Sequence, residues 1–121
     1  MQRYRWKNRP LVIFAPSVND PRAQRQRAIV RVHRRGFLER DMVVLLVTPA
    51  SVTTLIGRPP ALSARQLRAR FSAKPGAFRV VLVGKDGGAK RASAQPFSAR
   101  TLFATIDAMP MRRREMQRRS G

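Results

Sequence analysis

The segment of this chain best placed for chemistry is Pro16-Ser17-Val18-Asn19-Asp20-Pro21, which follows a short apolar run and precedes a helical pattern. A serine at a strand-to-helix turn stands where a nucleophile could work, with Asn19 and Asp20 as polar neighbours. Its hydroxyl attacks only if a general base takes the proton. The one histidine of the chain is His33, roughly four turns further along at 3.6 residues per turn, so a direct Ser17–His33 pair is not expected.

Other chemistries are limited by composition. The chain has no cysteine, which removes disulfides, thiolate nucleophiles and Cys-based metal sites together. Asp20, Glu39, Asp41, Asp86, Asp107 and Glu115 are scattered and read as caps, turns or arginine partners. Neither a metal site nor a glycosidase-type carboxylate pair is expected from them. Gly84-Lys85-Asp86-Gly87-Gly88 has the glycines of a phosphate loop but lacks the glycine spacing, the Lys-Ser/Thr ending and the following helix, so it reads as a hairpin turn. No enzyme activity and no cofactor are expected.

Charge is what remains. Lys and Arg number 26 against 6 Asp and Glu, a formal net charge of +20 in 121 residues. Such a balance draws anionic partners, whether nucleic acid, acidic lipid or polyphosphate. A GC-rich genome writing Arg wherever a surface is solvated would produce it too, and composition leaves both readings open. The densest cluster, Arg112, Arg113, Arg114, Arg118 and Arg119, is the candidate anion-binding site. At the other end, Tyr4 and Trp6 interleave with Arg3, Arg5, Lys7 and Arg9, where rings could stack bases while cations track phosphates. The preferred reading is that Trp6 packs as a lid over one end of a sheet.

These residues need a scaffold, and the hydrophobic pattern supplies one. Leu11 to Ala15 and Met42 to Val47 are continuous apolar runs of strand length, as in strands buried on both faces. Between them Asp20 caps, and Pro21 opens, a helix expected to run to about Arg35, bury Ala28, Ile29 and Val32, and end at Gly36. Strand, helix and strand then form a βαβ unit with parallel pairing. Residues 51–60, with Gly57, Pro59 and Pro60, read as a loop. Ser63 caps a second helix carrying Leu67 and Phe71. Phe78 to Val83 is a third strand, and the Asp86-Gly87 turn returns the chain through Ala89 to Ala92 as an antiparallel partner. Ser98 opens a last helix with Leu102, Phe103 and Ile106 on one face, stopped by Pro110.

That order is the thioredoxin-like arrangement, an α/β three-layer sandwich with a central mixed sheet of about four strands flanked by helices. It divides the chain into a domain at 1–110 and a basic tail at 111–121. Three strings, Tyr4 to Leu11, Phe78 to Gly88, and Ile106-Asp107-Ala108-Met109-Pro110-Met111-Arg112-Arg113-Arg114-Glu115-Met116, resemble the DUF4174 family. The resemblance implies a thioredoxin-like or peroxiredoxin-like fold without an established activity, in relatives that are bacterial exported proteins or modules of vertebrate extracellular-matrix proteins. In a thioredoxin the redox pair stands after the first core strand; here Ser17 stands near that place.

The function expected is therefore a non-enzymatic thioredoxin-like binding module whose partner is a protein or an anionic polymer. Alternatives are non-specific nucleic-acid binding through Arg112 to Arg119 with help from Arg3 to Arg9, and a cryptic enzyme using Ser17, Asn19 and Asp20. No run is long enough to span a bilayer. Residues 1–16 lack an export core, so the sequence as written reads as cytoplasmic, or as exported if the true start lies upstream. Oligomeric state is not legible.

Overall fold

A computed structural model describes residues 2–120. Five strands form one mixed sheet: β1 (Arg9–Phe14), β2 (Met42–Val47), β3 (Val52–Ile56), β4 (Arg79–Val83) and β5 (Ala89–Ser93), in the spatial order β3-β2-β1-β4-β5. β1 runs parallel to β2 and antiparallel to β4, while β3 and β5 pair antiparallel on the two edges. The parallel pair needs a crossover, and α1 (Pro21–Val32) with α2 (Arg34–Glu39) provides it. Pro10, which has no N–H to give, lies in the part of β1 that pairs with β2 before the β4 ladder begins at Leu11.

Because side chains alternate along a strand, each central strand feeds two cores. On one face Leu11, Ile13, Val44, Leu46, Val80 and Leu82 pack with Val30 of α1, Phe37 of α2, and Leu102 and Ile106 of α4 (Ala99–Asp107). On the other, Val12, Phe14, Val43, Leu45, Val81 and Val83 meet Leu67 of α3 (Ala64–Arg70), with Phe71 and Tyr4. Helices thus cover both faces of the sheet. The expected caps are present: the Asp20 carboxylate accepts from the N–H groups of Arg22 and Ala23, Ser63 forms a capping box with Gln66, and Ser98 accepts from Thr101 N–H.

Three expectations change. The sheet has five strands rather than about four, because Val52-Thr53-Thr54-Leu55-Ile56, read as loop, is an edge strand. Its β-branched residues satisfy the free side of β2, and the Gly57, Pro59 and Pro60 punctuation falls just after it. The helix expected through Arg35 breaks at His33 and resumes as α2, and Gly36 lies inside α2 instead of ending α1. There it lets Phe103 come close: a Cβ on Gly36 would sit 2.6 Å from that ring. The buried stripe of α1 is also rotated, to Ala23, Gln26 and Val30, leaving Val32 73% exposed and Ala28 and Ile29 half-buried. A polar residue leads that stripe because Gln26 clamps a loop. Its Nε2 donates to Phe97 O at 3.1 Å and its Oε1 accepts from Phe97 N–H at 2.7 Å.

The segment expected as a basic tail is helix α5 (Pro110–Ser120). Its first turns are tied to the sheet.

Candidate functional site

At the turn after β1, Ser17, Val18 and Asn19 are exposed. The Ser17 carbonyl accepts from Asp20 N–H at 3.3 Å, and the Asp20 carboxylate is held by its capping bonds and by the Arg22 side chain. That hydrogen bond from Arg22 lowers the Asp20 pKa, which makes the group a poor base. His33 follows the last residue of α1, about 18 Å along a helix of this length, and lies edge-on to Phe103. The turn therefore brings together none of the partners a serine nucleophile needs.

Polar groups converge instead at the opposite end of the sheet, where β1 and β2 begin and β4 ends. Arg9, the first residue of β1, is fully buried. Its Nη1 and Nη2 donate to Glu115 Oε1 and Oε2 at 3.2 and 3.1 Å, a bidentate pair, and Nη1 also donates to Arg40 O at 2.9 Å. Lys85, just after β4, donates from Nζ to Glu115 Oε2 and to Asp41 Oδ2, each at 2.8 Å. Beside this group Asp107 receives Arg40 Nη2 at 2.9 Å and Arg112 Nε at 3.0 Å, and Arg112 reaches Glu39 as well. Four cations face four carboxylates, and the charges balance.

Burial works against ionisation of Glu115, but the hydrogen bonds from Arg9 and Lys85 outweigh it and hold its pKa below the ordinary glutamate value. Asp107 follows the same logic, burial being overcome by Arg40 and Arg112. The two carboxylates outside the cluster are paired too: Asp20 with Arg22, and Asp86 with Lys90 at 2.7 Å in the β4–β5 turn. All six acidic side chains are thus engaged by Arg or Lys. The formal +20 is carried by cations outside these six pairs, none of them fully buried. Among the described residues no group of three or more His, Asp or Glu could hold a metal ion, and no helix is long and apolar enough to cross a membrane.

Next to the balanced cluster is an open cavity of about 580 Å³, bounded by Trp6, the β4–β5 turn, the end of α4 and the start of α5. Tyr4 and Trp6 part company here. Tyr4 is buried, with its hydroxyl donating to Arg58 O at 2.6 Å, whereas Trp6 is 57% exposed. The lid over this end of the fold is Tyr4, which corrects the expectation for Trp6. A left-handed turn decides it: Trp6 has φ of 68°, unusual for a bulky residue, and is held there by its N–H donating to Lys85 O at 2.6 Å.

Residues 1–115 match the family described as Domain of unknown function (DUF4174), a match that extends through Glu115. The chain belongs to this family. It is also similar to Coiled-coil domain-containing protein 80 of Danio rerio, 29% identical over an alignment of 133 positions that covers 96% of this chain and 15% of that protein. No solved structure matches it.

In this DUF4174 domain the expected C-terminal arginine cluster divides. Arg112 is 1% exposed with its guanidinium committed to Asp107 and Glu39, so it is an internal structural cation and is withdrawn from the anion-binding set. Arg113, Arg114 and Arg118 are exposed on α5, as is Arg119, which lies 3.8 Å from Glu39. Of the N-terminal cations, Arg3, Arg5 and Lys7 are exposed, and Arg5 stacks on Trp6 with its guanidinium 5.1 Å from the ring centroid; Arg9 cannot track phosphates as expected, because it is buried on Glu115. Sequence reasoning missed Arg9, Lys85 and Glu115 as a unit. Two signals were present: single cations at the ends of apolar strands, and one acidic residue in an arginine-rich stretch.

Proposed function

We propose that this chain is a thioredoxin-like binding module that works without thiol chemistry and engages an anionic polymer through its basic surface. The thioredoxin-like reading is supported by four of the strands. β2, β1, β4 and β5 are adjacent in that order, with one parallel and two antiparallel pairings, and β3 is an additional edge strand. The position that would hold a redox pair in such a fold carries an exposed Ser17 without a base.

The observation that carries the binding reading is that all six carboxylates are already engaged by Arg or Lys of the same chain. Arg113, Arg114 and Arg118 are then left without an ion-pair partner among the described residues, and they must find counterions or a partner. Exposed Arg113, Arg114 and Arg118 on one helix, with Arg5 and Lys7 at the other terminus, form the proposed contact set, and nucleic acid is one polymer that fits it.

The test is binding to heparin and to random-sequence DNA and RNA across a salt series, with Arg113, Arg114 and Arg118 replaced by Gln. Substitution is preferable to truncation, since removing α5 would leave Arg9 and Lys85 without Glu115. If all three arginines contact phosphates of duplex DNA, the slope of log K against log salt falls in magnitude by about 2.7 in the variant. Absence of binding at low salt, or an unchanged slope in the variant, refutes the reading.

A further inference from the structure

The 580 Å³ cavity differs in character from the basic surface around it. Its volume lies within the range of about 300–1,000 Å³ that small-molecule sites occupy. Ala108, Met109, Pro110 and Met111 give it apolar lining, and the half-exposed Trp6 ring lines it too. Methionine side chains adapt to an irregular apolar body, and an indole face offers a flat one.

The cations around the cavity are not equivalent. Lys85 is saturated by Asp41 and Glu115, and Lys90 is paired with Asp86. Arg114 lines the same space and has no ion-pair partner among the described residues, so one guanidinium is left for a ligand. Arg9 also borders the cavity, and its buried Nε–H has no hydrogen-bond partner among the described residues. A buried donor without an acceptor is uncommon and favours an oxygen-bearing guest. The backbone is strained at the same place, at Trp6, as is common in ligand clamps.

We infer that this cavity binds a small apolar organic acid, its hydrocarbon body against Trp6 and the methionine lining and its carboxylate on Arg114. One unmatched guanidinium suits a monoanion held by two parallel N–H···O bonds, and the apolar lining gives a simple inorganic anion nothing more to hold. Alkyl and aryl acids share that chemistry. The site does not depend on polymer binding, since it is concave and largely apolar.

Trp6 is the single tryptophan of the chain, so its emission reports on this cavity alone. The intact protein is titrated with decanoate and, by calorimetry, with 2-naphthoate, against acetate and 1-decanol. Saturable one-site binding of at least one acid is expected, with a Trp6 emission change on decanoate if the alkyl acid binds, and with acetate and decanol at least about tenfold weaker. The tighter acid identifies the class. Arg114→Gln should weaken acid binding by about tenfold. Ala108→Phe, at an exposed helix end, should block the cavity without changing charge, with thermal melts verifying that both variants fold. Because Ala108→Phe leaves every arginine in place, it separates this site from heparin binding. No saturable binding of either acid, or affinity unaltered in Ala108→Phe, overturns the inference.

Discussion

Replacing Glu115 by Gln tests whether the buried ion cluster holds α5 to the sheet. The substitution keeps the side chain's size and removes the charge that faces Arg9, whose side chain is 1% exposed, and Lys85, 8% exposed. Breaking a buried pair costs about 3–5 kcal/mol when the remaining charge has no other partner. Lys85 retains Asp41 and Arg9 retains the Arg40 carbonyl, so the lower end, about 3 kcal/mol, is the expected loss. For a chain of this length that is a fall in Tm of about 10 °C. Urea denaturation of the wild type, Arg9→Met, Glu115→Gln and the double variant closes a cycle. A coupling energy of about 1 kcal/mol or more between the two positions is expected, since direct contacts couple by about 0.5–3 kcal/mol. Additivity to within about 0.3 kcal/mol, or a Glu115→Gln variant as stable as the wild type, would refute the assignment of Glu115 as the anchor.

Acid should expose the same cluster. Glu115 and Asp107 have pKa values lowered in the folded state, so their contribution is fully present above the ordinary carboxyl range and is lost as pH falls through the lowered values. Stability measured from about pH 7 down to about pH 2 should stay level until the carboxyl range and then fall, and Glu115→Gln should flatten part of that decline. A decline that sets in well above the carboxyl range would contradict this sign. In a different part of the core, Gln26→Leu should destabilise by about 2–4 kcal/mol, because it strands both the N–H and the C=O of Phe97 in a buried loop. Denaturant unfolding would show it, and a neutral result would mean that water replaces both bonds.

Much of the scaffold was legible because its signals are local. Leu11 to Ala15 and Met42 to Val47 are apolar at every position, a pattern that, at strand length and bounded by Pro16 and Pro49, marks strands covered on both faces. Asp20, Ser63 and Ser98 cap helices through hydrogen bonds that span two or three residues, and Asp86-Gly87 closes a hairpin whose turn needs a glycine at φ of 87°. Val52 to Ile56 was misread because an edge strand with one partner shows a weaker pattern than the punctuation beside it. The rotated stripe of α1 was misread because its buried set includes Gln26, whose partner at Phe97 is 71 residues away.

The sequence by itself determined the absence of thiol chemistry, the paired parallel strands, the caps and the surplus of positive charge, all of which follow from residue type and near-neighbour spacing. Only the tertiary structure decided where that charge goes. Arg9 and Glu115 are 106 residues apart, and nothing local distinguishes Arg112, buried on Asp107, from the exposed Arg113 beside it. An ion pair in water contributes little and leaves scant trace in a sequence pattern, whereas the same pair desolvated between helix and sheet is set by the packing around it. The split between internal cations that anchor α5 and external ones free to meet a partner is therefore a property of the fold.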